Sequence, residues 1–152
     1  MCVKKRSTIV RILSLMMVLA LMVPAGANAA VVETAQPCAS YYLSSYSAYV
    51  YPAGGGKVQA CFSVRATGYM DDVGALTIQL YESTDNSTWS RVKVFNHSSY
   101  PGMLAQNMFC HSYYLDYQGV AGRYYKAYVC VWAGKDGGGD TRYFWTSAKL
   151  AT

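Results

Sequence analysis

The chain has 152 residues, of which 53% are hydrophobic and 14% charged, with a formal net charge of +5 at pH 7. Four of its 13 Lys and Arg residues lie before residue 30, where there is no acidic residue, so the rest of the chain has nine basic and eight acidic side chains and a net charge of +1. This near-neutral balance, without a cluster of basic residues, argues against nucleic acid as a partner.

The first 29 residues have the pattern of a signal peptide. Basic residues at positions 4–6 precede an apolar stretch over residues 12–23, which is shorter than the roughly 20 residues that a bilayer requires. Ala27 and Ala29 are small enough for signal peptidase, which predicts a mature chain beginning at residue 30. We therefore expect a secreted, extracellular protein with no membrane span in the mature chain.

The rest of the chain divides into a flexible N-terminal segment, expected over residues 30–40, and a β-rich domain over residues 41–152. Within that domain, strand-forming runs recur about every dozen residues between Gly, Asn, Asp and Ser, and no stretch keeps a helical period. The predicted strands are Tyr42 to Tyr51, Lys57 to Ala66, Ala75 to Glu82, Ser90 to Asn96, Asn107 to Tyr117, Arg123 to Ala133 and Thr141 to Lys149. Together they predict an all-β fold, a seven-stranded antiparallel Ig-like or fibronectin-like β-sandwich.

Alternation within two predicted strands indicates which residues face the core. In the second strand the core-facing set is Val58, Ala60, Phe62, Val64 and Ala66. In the sixth it is Tyr125, Ala127, Val129 and Val131, so Lys126 marks the outer face and Cys61 and Cys130 point outward. Between the third and fourth strands, Ser83 to Thr88 is predicted to form a hairpin turn, because Ser, Asp and Asn bond their own backbone.

Three blocks carry a resemblance to a known family: "SSYSAYVYPAGGGKV", "MDDVGALTIQLYESTDNSTW" and "YQGVAGRYYKAYVCVWAGKDGGGDTR". They resemble a family of small secreted proteins of unknown function from Clostridia-like Gram-positive gut bacteria. The resemblance covers most of residues 40–146. It implies a bacterial exported protein, and it implies no activity and no site residues.

Four cysteines follow the signal peptide: Cys38, Cys61, Cys110 and Cys130. An even number in an exported chain is typical of disulfides, with three possible pairings. Outward-facing Cys61 and Cys110 on neighbouring strands are the preferred pair, and free thiols are the alternative, because an anaerobic habitat gives little oxidation.

Four aspartates define a candidate calcium site. Asp71 and Asp72 lie in the predicted connection after the second strand, and Asp136 and Asp140 in the connection after the sixth. If successive strands alternate in direction, both connections emerge at one end, where carboxylate oxygens suit Ca²⁺. The alternative is that these aspartates are ordinary turn residues, so that the protein has no cofactor.

The mature chain contains 15 Tyr, three Trp and four Phe, but only His97 and His111 as bases for neutral pH. Neither His lies in a recognisable catalytic motif, so we expect no enzyme. The aromatic residues indicate sheet faces covered by Tyr or a surface on which sugars stack. The favoured interpretation is an extracellular binding or interaction module for an unknown protein or glycan. The alternatives are a carbohydrate-binding module, a small secreted hydrolase and a bacteriocin-like effector, and the oligomeric state is left open.

Overall fold

A computed structural model describes residues 40–152 of the protein. The predicted signal peptide, nearly all of the predicted flexible segment and Cys38 lie outside the described residues. The strands are β1 Leu43–Gly54, β2 Lys57–Ser83, β3 Ser90–Asn96, β4 Leu104–Gln118, β5 Tyr124–Lys135, β6 Gly138–Trp145 and β7 Lys149–Leu150, and a 3-10 turn at Pro101–Met103 precedes β4. The fold is all-β, as the sequence predicts.

Strand β2 corrects the predicted boundaries, because the predicted second and third strands are one continuous strand. The segment between them was expected to turn, but it pairs with β4, where Met70 lies opposite Met108 and Asp72 opposite Gln106. Irregularities in pairing between Arg65 and Met70, and again between Ala75 and Thr77, allow the strand to bend without ending.

Four of the other strands pair directly with β2. Its first half pairs with β1 on one side and β4 on the other, and its second half pairs with β5 and β3 in the same way. Strand β5 also pairs with β6 and β7. The result is one antiparallel sheet of seven strands, curled into a half-barrel. The two separate sheets of the predicted Ig-like sandwich are not confirmed.

The last predicted strand is also divided, into β6 and β7. The division falls at Thr146, whose side chain is buried. Its Oγ1 accepts a hydrogen bond from the Ala127 N–H at 2.9 Å, and its own N–H donates to the Ala127 carbonyl at 2.9 Å. Because the hydroxyl takes the place of a backbone carbonyl in the ladder, the chain leaves β5 here and returns to it at Lys149.

The core fills the inside of the curled sheet, and the predicted alternation is confirmed. All the core-facing residues predicted in the two strands are buried, from Val58 to Ala66 and from Tyr125 to Val131. Phe62 and Phe95 are among the largest side chains in this core. Burying each of these large apolar side chains contributes about 1.5–3 kcal/mol, which fixes the opposite face of each strand towards solvent.

A polar network joins the connection between β4 and β5 to the end of β2. The Glu82 carboxylate accepts hydrogen bonds from the Tyr125 hydroxyl and the Arg123 guanidinium, and the Tyr125 oxygen accepts from the Val120 N–H at 2.8 Å. Burial and the neighbouring Glu82 raise the pKa of Tyr125 to about 12. The phenol is therefore held in its neutral, hydrogen-bond-donating form.

Candidate aromatic platform on the outer face

The outer face of β2, β5 and β6 carries a cluster of aromatic side chains around one lysine. We call this cluster the platform, and its members are Tyr81, Trp89, Lys126, Tyr128, Tyr143 and Trp145. Register brings them together: Tyr81 lies opposite Lys126, and Tyr128 lies opposite Trp145. All but Trp89, which precedes β3, belong to the face that alternation turns away from the core.

The platform rings are in mutual contact. The Trp145 ring centroid lies 5.0 Å from that of Tyr81 and 4.8 Å from that of Tyr128. Tyr128 and Tyr143 stack, with centroids 6.0 Å apart and an interplanar angle of 23°. These contacts leave 61% of Tyr143 and 43% of Trp145 exposed, so the cluster presents ring faces and edges to solvent.

Lys126 lies at the centre of the platform. Its Nζ is 4.2 Å from the Trp89 ring centroid and 4.6 Å from the Trp145 ring centroid, within the range of a cation–π interaction. Two rings on one ammonium hold the side chain in place and keep its charge at the surface. The lysine therefore acts both as a packing element and as a fixed positive charge.

Polar side chains border the platform on the β3 side. Arg91 lies opposite Tyr81, and its Nη1 donates to Gln79 Oε1 at 3.3 Å. The same oxygen accepts from the Tyr81 hydroxyl at 3.2 Å. A ring surface edged by fixed amide, hydroxyl and guanidinium groups has the composition of a site that binds by stacking and hydrogen bonding.

Trp89 is positioned by the turn that the sequence predicts, and that prediction is confirmed. Asp85 Oδ1 accepts hydrogen bonds from the N–H groups of Ser87 and Thr88, at 2.9 and 2.8 Å, and from the Ser83 hydroxyl at 2.8 Å. These bonds hold the pKa of the Asp85 carboxyl far below its usual range, and the backbone bond from Thr88 is the largest cause. The turn places Trp89 at the start of β3, beside Lys126.

The four candidate calcium ligands are brought together only in part. Asp71 and Asp136 are neighbours, since Asp71 Oδ2 accepts from the Asp136 N–H at 2.8 Å. Asp71 and Asp72 lie within β2 rather than in a connection, and their approach follows from pairing of β2 with β5, where Asp72 lies opposite Gly134.

Asp140 is engaged elsewhere, because its carboxylate accepts from the Ser40 hydroxyl and from the Tyr42 N–H. These bonds lower the pKa of Asp140, and the Ser40 hydroxyl is the first cause. Within residues 40–152, no group of three or more His, Cys, Asp or Glu side chains is arranged to hold a metal ion. Calcium binding by Asp71, Asp72, Asp136 and Asp140 stays a prediction, and a rise in melting temperature with Ca²⁺ would test it.

The predicted disulfide between Cys61 and Cys110 is wrong. The two residues do lie on neighbouring strands, but Cys61 is opposite Tyr114 and Cys110 is opposite Arg65. That offset of four residues separates them by roughly 13 Å along the strands, beyond the roughly 7 Å between Cα atoms that a disulfide spans. Cys61, Cys110 and Cys130 are free thiols, and burial raises the pKa of Cys61 and of Cys130.

His111 makes contacts that hold the 3-10 turn against β4. Its Nε2 lies 2.7 Å from the Gly102 carbonyl oxygen, which ties the 3-10 turn to β4. Its ring packs edge-on against Phe62 and stacks on Tyr113. The other histidine, His97, follows β3, and its N–H donates to the Leu76 carbonyl.

Sequence reasoning identified the outer faces but not the platform. Alternation already turns Lys126 and Tyr128 away from the core, and the same rule applied to the third and seventh predicted strands would do so for Tyr81, Tyr143 and Trp145. The sequence does not show that the second half of β2 pairs with β5, or that β5 pairs with β6. A single sequence carries no direct signal for which strands pair.

Comparisons with known proteins leave the family open. No family model matches the chain, and no curated protein matches it. Among solved structures it is similar to the sporulation control protein Spo0M from Bacillus subtilis, with a TM-score of 0.36 and 13% identity over 68% of this chain. The match spans about half the length of that protein. No helix within residues 40–152 is both long and apolar enough to cross a membrane.

Proposed function

We propose that this protein is a secreted, bacterial binding module that acts outside the cell without catalysis, with the platform as its contact surface. The proposal includes removal of residues 1–29 as a signal peptide and an Ig-like or fibronectin-like classification of the domain. It requires no cofactor. The resemblance to secreted proteins of Clostridia-like bacteria is consistent with an extracellular location.

The observation that carries the proposal is a contiguous aromatic cluster outside the core, in which Tyr143 and Trp145 are exposed and the other rings are half-buried. The large buried residues lie on the inner face of the sheet, whereas the platform lies on the outer face. Contiguous exposed apolar surface with a polar border marks interaction sites on soluble proteins. Aromatic rings supply a large contact area there at a small cost in conformational entropy.

A carbohydrate is the ligand class that the platform favours. The exposed Tyr143 and Trp145 rings offer flat faces to the apolar faces of sugar rings, and the amide of Gln79 and the hydroxyl of Tyr81 supply directional polar contacts nearby. A hydrolase would require a positioned acid and base, and the platform contains neither a carboxylate nor a histidine.

A glycan array with the mature domain tests the proposal, with Trp145→Ala as the binding-site variant and Tyr114→Ala as the matched control on the other half of the sheet. We expect specific glycan binding that the first variant loses and the second keeps. Equal binding by both variants would remove the platform from the function, and release of reducing ends from a bound glycan would indicate a hydrolase instead.

Secretion has a separate test. The N-terminal sequence of protein recovered from a culture medium should begin at Ala30. A mature chain that begins before Val23 would contradict the predicted cleavage.

A further inference from the structure

Two cations on the outer face lie on either side of the same tyrosine. In the paired strands β3, β2 and β5, Arg91, Tyr81 and Lys126 occupy one row across the sheet. Neighbouring strands lie about 4.8 Å apart, so the row places the two positively charged residues about 10 Å apart with an aromatic ring between them.

Neither cation is neutralised by the residues that the structure describes. Within residues 40–152, Lys126 Nζ has no hydrogen bond and no ion pair, and Arg91 has one hydrogen bond, to the uncharged Gln79. The ammonium therefore retains three N–H donors, and the guanidinium retains most of its five. Desolvating such donors without a partner is unfavourable, so a ligand that covers the row must itself supply acceptors.

The acidic residues closest in sequence are committed to other partners. Glu82 accepts from Arg123 and Tyr125, on the face opposite to Tyr81. Asp85 accepts from the backbone and hydroxyl groups of its own turn. The positive charge of the row is thus a property of the surface that the fold leaves uncompensated.

We propose that the platform binds acidic polysaccharides, that is, glycans whose sugars carry carboxylate groups. This inference rests on the proposed carbohydrate-binding function and specifies its ligand class. A polymer lying across the strands would stack a sugar ring on the exposed ring of Trp145 and place carboxylates beside Lys126 and Arg91. Charge-assisted hydrogen bonds to carboxylates are stronger than neutral ones, and the guanidinium of Arg91 matches a carboxylate in bidentate geometry.

The test compares pairs of polymers that share a backbone, one member with free carboxylates and the other without charge. Polygalacturonate and its methyl ester share one backbone, as do hyaluronan and its carboxyl-reduced form. We expect the wild-type domain to bind at least one of the two acidic polymers about tenfold more tightly than its neutral counterpart, and this preference to shrink as salt screens the charges.

Variants then assign the preference to the row. Lys126→Gln and Arg91→Gln should each weaken binding to the acidic polymer about tenfold, and by more than they weaken binding to the neutral one. Lys126→Arg, which keeps the charge between the two tryptophans, should restore binding. Lys135→Gln, at the far end of β5, makes the same charge change away from the platform and should have no effect.

Each outcome is decisive. Equal binding to the acidic and neutral members of both pairs overturns this inference while the proposed carbohydrate binding stands. Failure to bind either acidic polymer, with neutral glycans still bound on the array, also overturns only the inference. No glycan binding of any kind removes both. Single-stranded DNA bound as tightly as the acidic polymers would show attraction to any polyanion and would overturn the inference as well.

Discussion

The outer faces of the two halves of β2 both carry exposed aromatic side chains but differ in how their cations are held. On the first half, Tyr49 and Tyr114 lie on either side of Cys61 in adjacent strands, and a shallow cleft of about 190 Å³ opens beside them. On the second half, the platform rings surround Lys126. The difference lies in what happens to the cations.

On the first half, one cation, Lys57, is paired. Lys57 Nζ lies 3.0 Å from the Asp116 carboxylate, which also accepts from Gln59 Nε2 at 2.9 Å. The Lys57 side chain and the Gln59 amide together lower the pKa of Asp116, with the lysine as the first cause. On the second half, Lys126 has only aromatic rings beside it. Exposed tyrosines are thus common to both faces, and among the described residues Arg65 on the first half also has no ion pair and lies 5.7 Å from the Phe109 ring centroid. What distinguishes the platform is a lysine held between two tryptophan rings, with a second cation in the same row.

The largest expected effect comes from the residue near the bend between the two halves. Gly74 has φ +151°, and a Cβ added to it would lie 2.1 Å from the Met103 carbonyl oxygen. Because a backbone atom cannot move aside easily, Gly74→Ala should lower the free energy of unfolding by about 3 kcal/mol or more in a urea titration.

Gly68→Ala is the control for that change. Gly68 lies on the same strand, and a Cβ there would meet nothing within 4 Å. Its effect should stay below about 1 kcal/mol. If the two variants were equally stable, the account of the bend at Gly74 would be wrong.

The next effect concerns the network that anchors the second half of β2. The pKa of Tyr125 is raised to about 12, so its neutral form is favoured in the folded protein. Its contribution to stability is fully present below the unfolded pKa of about 10 and is lost as the pH rises through about 12.

Tyr125→Phe should therefore lower the free energy of unfolding by about 1–2 kcal/mol at pH 7 and remove part of the alkaline loss of stability. Urea titrations at pH 7 and at pH 11 measure both quantities. If the free energy of unfolding fell equally between pH 7 and pH 11 in the variant and the wild type, Tyr125 would not be the cause of the alkaline loss.

A smaller effect compares the two lysines directly. Lys126→Gln removes a cation held between two tryptophans and should cost about 1 kcal/mol, whereas Lys57→Gln removes an exposed ion pair and should produce no measurable change. Thermal melts of both variants make the comparison, and Lys126→Arg should recover the loss. Equal melting temperatures for the two Gln variants would mean that the cation–π contacts do not stabilise the platform.

The smallest effect is expected at the turn before β3. Because the pKa of Asp85 is lowered in the folded protein, its contribution is present above pH 3.8, the ordinary value, and is lost as the pH falls below it. Asp85→Asn should lower the melting temperature slightly at pH 7 and reduce the further loss on acidification. The slope of the melting temperature between pH 5 and pH 2 checks this, and an unchanged slope would contradict it.

What the sequence predicts well is what depends on local chemistry. The alternation of Val58, Phe62 and Val64 specifies the inner face, because a strand has a period of two regardless of its neighbours. The turn around Asp85 is equally local, since its carboxylate bonds the N–H groups of the next few residues.

What the sequence does not predict is pairing at a distance. Gly68 and Gly74, with the intervening aspartates, have the composition of a connection, and only the presence of β4 and β5 beside them keeps the segment extended. The register that separates Cys61 from Cys110 is also set by pairing over many residues. The platform was missed for the same reason, as its members come from β2, β5, β6 and the residue before β3.

The central claim is that the second outer face, and not the first, binds an extracellular ligand. Isothermal titration of an acidic polysaccharide that the wild-type domain binds, carried out on Trp145→Ala and Tyr114→Ala, tests it most directly. Both variants remove one exposed aromatic side chain, and a thermal melt verifies that each is folded. The account predicts at least a tenfold loss of affinity for Trp145→Ala and wild-type affinity for Tyr114→Ala. The reverse order, or equal losses, would contradict it.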